Sequence, residues 1–197
     1  MSIIIYNPGI PPLPAPYEKA IKDTLNNIGL NALTISSTIR TPKQQAQAMY
    51  NNLVSLGTDS QRKLYGQAGN KIIDVYVLKK AYGYGLQDTL NAMESEIIKI
   101  GAPNVSAHCT SDPLKYVAFD VPPQQIPPEK KSLFENAMSK ITSKILIPGK
   151  TTGEPVYHLE IKKGILDALA TAAKNPAALL IIAGLSFFLI YKHLKKG

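Results

Sequence analysis

The chain has 197 residues, of which 45% are apolar and 18% charged, and this composition excludes a disordered or low-complexity protein. The single cysteine, Cys109, excludes an intrachain disulfide. The net charge of +8 predicts a polyanionic neighbour, such as an anionic lipid surface or an acidic cell-wall polymer. Because the basic residues are scattered and are not interleaved with aromatic residues, we do not expect nucleic acid as a partner.

The N-terminal segment, residues 1–16, is rich in proline and reads MSIIIYNPGIPPLPAP. It lacks the basic region and the long apolar stretch of a secretory signal, so no such signal is expected here. The prolines predict an extended lead-in that lies over the surface of the following domain. This lead-in is either a plain tether or a recognition segment.

Residues 17–100 show mainly helical spacing of apolar side chains. Gly29 is placed to end the first helix, and Thr41 with Pro42 offers a cap and a first-turn proline to the second. The predicted elements are helices over 17–28, from 42 onward, over 72–82 and over 86–100, and a strand over 32–39.

After Gly101 the sequence changes to short β-prone pieces interrupted by one helical segment. Helices followed by a small antiparallel sheet are typical of an α+β fold, and we expect the helices to pack on that sheet. The predicted elements are strands over 104–108, 116–121, 145–148 and 155–161, and a helix over 129–142.

The C-terminal region differs from the rest of the chain. Residues 176–191 are uncharged and apolar, and lysines follow in the basic tail that ends at residue 197. Sixteen helical residues measure roughly 24 Å, and snorkelling lysines can extend this towards the thickness of a bilayer. We therefore predict a connecting helix over 163–175 and a transmembrane helix over 176–191, with a buried core helix as the alternative. Flanking lysines are balanced, so the orientation in the membrane stays open.

Three patches carry potential metal ligands: SAH contains His108, VAFDV contains Asp120, and YHLEI contains His158. Two imidazoles and one carboxylate suit zinc. Three protein ligands leave one coordination position for water, which is typical of a catalytic site. The three residues therefore predict metal-assisted hydrolysis.

A fourth patch, SSTIRTPKQQAQAMY, has Arg40 at a strand-to-helix turn. An arginine there can bind a substrate carboxylate or stabilise an oxyanion through charge-assisted hydrogen bonds. The order Arg-Thr-Pro with a downstream Gln, Ser-x-His, Ala-x-Asp-Val and aromatic-His-x-Glu resembles the M15 family. That family comprises zinc D-alanyl-D-alanine carboxypeptidases and peptidoglycan endopeptidases, including phage endolysins.

The resemblance covers roughly residues 17–162, and it implies that His108, Asp120 and His158 bind zinc while Arg40 contacts the substrate. Eleven residues separate the first histidine from the aspartate here, where the family usually has about six. The family's catalytic acid stands three residues before the last histidine, whereas Glu154 stands four before His158. A bulge can re-aim Glu154 as the general base, and Glu160 is the rival for that role.

Together these features predict a membrane-anchored zinc peptidase of bacterial peptidoglycan. An apolar segment without a secretion signal favours a place in the virion membrane of a membrane-containing bacteriophage, or otherwise in the host inner membrane. Capsid proteins are then further partners. The alternative is an inactive M15-like structural protein that anchors a membrane to a protein shell. Whether an active enzyme is a carboxypeptidase or an endopeptidase stays open.

Overall fold

The structure is a computed structural model, and it describes residues 1–151 and 153–174. These residues form an α+β fold with eight α-helices, a parallel two-stranded sheet and an antiparallel three-stranded sheet. In chain order the elements are β1 (Ile3–Tyr6), α1 (Ala15–Asn27), β2 (Ala32–Ile35), α2 (Pro42–Leu56), α3 (Thr58–Leu64), α4 (Gln67–Ala81), α5 (Leu86–Ile100), α6 (Ala102–Val105), β3 (Tyr116–Val121), α7 (Lys131–Ser139), β4 (Lys144–Leu146), β5 (Tyr157–Lys162) and α8 (Lys163–Lys174).

The two sheets meet at Asp120. In the antiparallel sheet β5 lies between β3 and β4, and its register places Asp120 opposite His158. β1 and β2 pair in parallel, and a single bridge between Ser37 and Asp120 links this pair to β3. The Asp120 amide donates to the Ser37 carbonyl at 2.9 Å, so the main chain around Asp120 is fixed on both sides.

Two hydrophobic cores support this arrangement. The sheet core lies between the strands and helices α1 and α7, and the helical core lies among α2, α4, α5 and α6. The largest fully buried side chains of the sheet core include Tyr17, Phe119 and Phe134, and those of the helical core include Met49, Ile72 and Met93.

Several predicted elements are confirmed. The strand over 116–121 and the helix over 86–100 have the predicted bounds, and α8 covers the described part of the helix predicted over 163–175. α2 begins with a capping box, in which the Thr41 hydroxyl accepts from the Gln44 amide and the Gln44 side chain accepts from the Thr41 amide.

The strand predicted over 104–108 is wrong. Pro103 lies in the first turn of α6, and Ser106 then caps a 3₁₀ turn over Ala107–Cys109. Local capping chemistry outweighs the β-propensity of Val105 here, because a proline at a helix start has its φ already set. The consequence is that His108 projects from a tight turn rather than from a strand.

The N-terminal lead-in is part of the fold rather than a separate segment on its surface. β1 lies within residues 1–16 and pairs with β2 along its whole length. Ser2 is buried, with its hydroxyl donating to the Leu30 carbonyl, and Leu13 belongs to the sheet core. The β-propensity of the IIIY run therefore determines the structure of residues 3–6, although prolines follow closely.

Within residues 1–151 and 153–174, no helix has both the length and the apolar character needed to cross a bilayer. The span predicted over 176–191, together with the basic tail, lies outside the described residues.

Candidate metal centre

The three predicted ligands come together at the seam between the two cores. Asp120 and His158 face each other from the paired strands β3 and β5. His108 arrives from the 3₁₀ turn, whose main chain is held because the Arg40 amide donates to the His108 carbonyl at 2.8 Å. His108 and Asp120 are only 2% and 6% exposed, so both side chains are almost completely shielded from solvent.

Three ligand atoms form a nearly equilateral triangle. His108 Nε2 lies 3.0 Å from Asp120 Oδ1 and 3.1 Å from His158 Nδ1, and the third edge, His158 Nδ1 to Asp120 Oδ1, is 3.0 Å. A tetrahedral ion with bonds of about 2.0–2.1 Å keeps its ligand atoms roughly 3.3 Å apart. The triangle therefore has nearly the dimensions of one face of such a coordination shell.

The outer nitrogen of each imidazole has a hydrogen-bond acceptor. His108 Nδ1 lies against the main-chain carbonyl of Thr38, and His158 Nε2 lies 3.0 Å from Glu160 Oε1. A carbonyl or carboxylate oxygen can only accept, so each outer nitrogen carries the hydrogen. In the neutral rings the inner nitrogens, His108 Nε2 and His158 Nδ1, are then the ones with free lone pairs.

Two nitrogen lone pairs and a carboxylate oxygen thus converge on one point. Three electron-pair donors at this distance repel one another unless a cation or a proton lies between them. Metal-binding histidines usually donate their other ring N–H to a carbonyl or a carboxylate, as His108 and His158 do here. The donor set therefore fits a metal ion, and His108, Asp120 and His158 form a candidate metal site.

The ionisation of the three groups follows from this crowding. Burial tends to raise the pKa of Asp120, but the neighbouring histidines and Arg40 outweigh burial and hold the pKa of that carboxyl well below its usual range. Burial tends to lower the pKa of His158, yet hydrogen bonds to Asp120 and Glu160 raise it to about 9. Burial lowers the pKa of His108. Without a metal, a proton on His158 therefore compensates the carboxylates at neutral pH.

Arg40 lies beside the three candidate ligands. Its Nη2 donates to Asp120 Oδ2 at 2.7 Å, its Nε to the Ser37 hydroxyl at 2.9 Å, and its Nη1 to Gln45 Oε1 at 3.2 Å. A guanidinium has five N–H donors, so two are left beyond these three bonds. Arg40 also borders the cavity. It therefore fixes Asp120 while it still has donors for a ligand.

The two acidic candidates have different surroundings. Burial tends to raise the pKa of Glu160, but hydrogen bonds from His158 and Tyr116 and the charge of Lys144, whose Nζ lies 3.6 Å away, lower it to about 2. Glu154 borders the cavity, and burial, reinforced by the negative charge of Asp120, raises its pKa to about 7. Glu160 is thus a permanently charged partner of His158, whereas Glu154 exchanges protons near neutral pH.

The site opens into a cavity of about 390 Å³. Its walls come from both cores: the sheet side contributes Asp120, Glu154 and His158, and the helical side contributes Arg40 and Tyr65. A cavity of this size lies within the range of small-molecule sites, about 300–1,000 Å³.

The sequence did not single out Thr38, Gln45 or Tyr65, and the family pattern includes a downstream glutamine without indicating which of those after Pro42 it is. Thr38 contributes its main-chain carbonyl to the site. Every residue has such a group, so the sequence gives no signal for it. Gln45 is fully buried, and its place one turn beyond the helix cap is the signal that marks it as facing Arg40.

Comparisons of the chain with protein-family models, with curated proteins and with solved structures find no match. What can be concluded about the site therefore depends on its own geometry.

Proposed function

We propose that this protein is a zinc-dependent peptidase that cleaves the peptide stems or cross-links of bacterial peptidoglycan. The observation that carries the proposal is the convergence of two correctly oriented imidazole lone pairs and one carboxylate oxygen on a single point beside an open cavity. Two nitrogens and one oxygen favour zinc over calcium or magnesium, which prefer shells made of oxygen atoms.

The surrounding residues have properties that hydrolysis needs. Zinc, when bound, lowers the pKa of a coordinated water and polarises a carbonyl group. Glu154, whose pKa of about 7 is close to the working pH, accepts a proton from the attacking water and passes it to the leaving amine. Glu160 keeps His158 in the required tautomer. Arg40 holds Asp120 and offers its two remaining N–H groups to the developing negative charge.

The substrate class and the setting are supported by the sequence. The resemblance to the M15 family points to peptidoglycan peptides, and the net charge of +8 suits an anionic cell wall. The apolar residues 176–191 support a membrane anchor, and we place the enzyme in the membrane of a bacteriophage virion, near capsid proteins. Carboxypeptidase and endopeptidase activity both remain compatible with the cavity.

Metal analysis of the purified full-length protein tests the site. We expect about one zinc per chain, and we expect His108→Ala to lose it, because two remaining ligands bind zinc weakly. His193→Ala is the matched control, since it removes the third histidine of the sequence and should leave the zinc content unchanged. A wild-type protein without bound zinc would rule out the enzyme.

Digestion of purified peptidoglycan, followed by mass spectrometry of the released muropeptides, tests the reaction. Loss of a terminal residue from the stems indicates a carboxypeptidase, and cleavage within stems or cross-links indicates an endopeptidase. Glu154→Gln should abolish the products while zinc stays bound. Bound zinc with no products from the wild-type protein would instead identify the inactive structural alternative.

A further inference from the structure

One buried amide determines how a neighbouring hydroxyl can be used. Gln45 is fully buried and lies between Arg40 and Tyr65. Arg40 Nη1 lies 3.2 Å from the Gln45 side chain on one side, and the Tyr65 hydroxyl lies 3.3 Å from it on the other. A guanidinium has no acceptor, so the amide oxygen of Gln45 must face Arg40.

The orientation of Tyr65 follows from this. With its oxygen towards Arg40, Gln45 presents its NH₂ group to Tyr65, and the phenol oxygen accepts that bond. The hydroxyl hydrogen of Tyr65 is then left to donate elsewhere, and among the described residues it has no acceptor. Burial raises the pKa of Tyr65 to about 12, so the hydroxyl keeps its hydrogen at neutral pH.

The ring of Tyr65 occupies a space that the backbone leaves for it. Gly69 lies four residues further along the chain, in the first turn of α4, and a Cβ atom there would stand 2.6 Å from Tyr65 Cδ1 and 2.7 Å from Tyr65 Cβ. Contacts this short are not tolerated, so any other residue at 69 would displace the ring. Glycine is less favourable than alanine within a helix. The space for the ring is therefore kept at some cost in stability.

Tyr65 borders the same cavity as His108, Asp120, His158 and Glu154. We propose that the Tyr65 hydroxyl is a second hydrogen-bond donor, beside Arg40, to the oxygen atom that becomes negatively charged when a carbonyl ligand is attacked at this site. Gln45 then acts as a positioning residue that holds both donors. This inference deepens the proposed function and rests on it.

The test uses the full-length protein loaded with cobalt(II), whose visible absorption reports ligand binding at the metal. Acetohydroxamic acid is the probe, because its metal-bound anion places a charged oxygen next to the ion. Imidazole is the control ligand, since it binds the metal through nitrogen and carries no oxygen. Tyr65→Phe keeps the ring and removes only the hydroxyl, so cobalt content should match that of the wild type.

We expect Tyr65→Phe to weaken acetohydroxamate binding by about tenfold or more, as for other hydrogen bonds to charged groups, and to leave imidazole binding unchanged. Gly69→Ala should weaken acetohydroxamate binding in the same direction by displacing the ring. Gly85→Ala is its control, because a Cβ atom at Gly85 meets nothing within 4 Å.

Equal acetohydroxamate affinity in wild type and Tyr65→Phe would overturn the role of Tyr65 and leave the metal site standing. A proportionate loss of imidazole binding would also overturn it, because the hydroxyl would then support the site as a whole. A wild-type protein that binds no cobalt would overturn the proposed function, and this inference with it.

Discussion

The two walls of the cavity are built in different ways. On the sheet side, Asp120 and His158 are opposed by main-chain pairing between β3 and β5, so their separation follows from strand register. On the helical side, His108 lies in a 3₁₀ turn, Arg40 directly precedes the cap of α2, and Tyr65 ends α3. Their positions depend on side-chain hydrogen bonds and on close packing.

This difference teaches which residues tolerate change. A strand pair repositions its side chains only if the register slips, which would exchange the two faces of β3, both of them buried. The helical wall lacks such a constraint, so single substitutions there can move a functional group without unfolding the protein. We therefore expect changes of Asp120 and His158, in the paired strands, to affect stability and metal binding together, and changes on the helical side to affect them separately.

The largest effect is expected for Asp120→Ala, on the sheet side. It removes one proposed metal ligand and leaves the guanidinium of Arg40 without its charged partner in a site where Asp120 is 6% exposed. Breaking a buried ion pair in this way costs about 3–5 kcal/mol. We expect that loss in urea denaturation of the metal-free protein, together with loss of zinc.

Asp23→Ala is the matched control, because the ion pair of Asp23 with Lys19 lies at the surface. Its free energy of unfolding should stay within about 0.5 kcal/mol of the wild type. If Asp120→Ala unfolds at the same urea concentration as this control, the sheet side does not couple stability to the site.

Metal binding is expected to depend on pH through His158. Its pKa of about 9 lies above the ordinary value of 6.5, so zinc must displace a proton from it below pH 9. Zinc affinity should therefore rise about tenfold per pH unit between pH 6.5 and 9, and calorimetry in buffers of different ionisation enthalpy should detect the released proton.

The stability of the metal-free protein should change in the opposite direction. Because the folded-state pKa of His158 is raised, its contribution is complete below pH 6.5 and is lost as the pH rises towards 9. Glu160→Gln removes one carboxylate that raises the pKa of His158. The pH range over which this stability is lost should therefore shift to lower values in the variant. An unchanged profile in Glu160→Gln would show that Glu160 does not control His158.

A smaller effect is expected in the loop that carries Glu154 between β4 and β5. Gly153 has a φ of +81°, and a Cβ atom there would stand 2.7 Å from the main-chain oxygen of Ser60 on α3. Gly149 has a similar φ of +77°, but a Cβ atom there meets nothing within 4 Å. Both alanine variants pay for the unfavourable φ, whereas only Gly153→Ala must also push the loop away from α3.

We expect Gly149→Ala to cost about 1–2 kcal/mol of unfolding free energy and Gly153→Ala roughly 1–3 kcal/mol more. Zinc content should be unchanged in both variants, because Gly153 holds Glu154 and not a metal ligand. Equal stability of the two variants in urea denaturation would show that the contact with Ser60 does not anchor the loop.

The smallest effect concerns the start of α2, directly after Arg40. Thr41→Ala removes the hydroxyl that accepts from the Gln44 amide, and loss of such a cap costs about 1 kcal/mol. Lys43→Ala, an exposed change in the same turn, should stay within about 0.5 kcal/mol of wild type in thermal denaturation. If the two variants are equally stable, the capping box does not help to fix Arg40.

The same contrast between the walls explains what could be predicted from the sequence. β3 has the predicted bounds because its dense run of apolar and β-branched residues admits few alternatives. The strand predicted around His108 is wrong because Pro103 and Ser106 favour helical turns over four or five residues, which a propensity average does not detect. The ligand residues were predicted, whereas the direction from which His108 enters was not.

The helical wall was harder to predict for a different reason. Tyr65 follows α3, a short helix that the spacing of apolar residues did not indicate, and its use depends on the orientation of Gln45. Such a relation joins side chains twenty residues apart, and no local pattern encodes it. The C-terminal span over 176–191 stays a prediction.

The central claim is that His108, Asp120 and His158 bind one zinc ion, and X-ray absorption spectroscopy of the zinc-loaded full-length protein tests it most directly. The geometry predicts a shell of nitrogen and oxygen atoms at about 2.0–2.1 Å, with the outer-shell signature of two imidazoles. His158→Ala should reduce that signature to one imidazole or none. A sulfur atom at about 2.3 Å, as Cys109 would supply, or a shell without imidazole would contradict the claim.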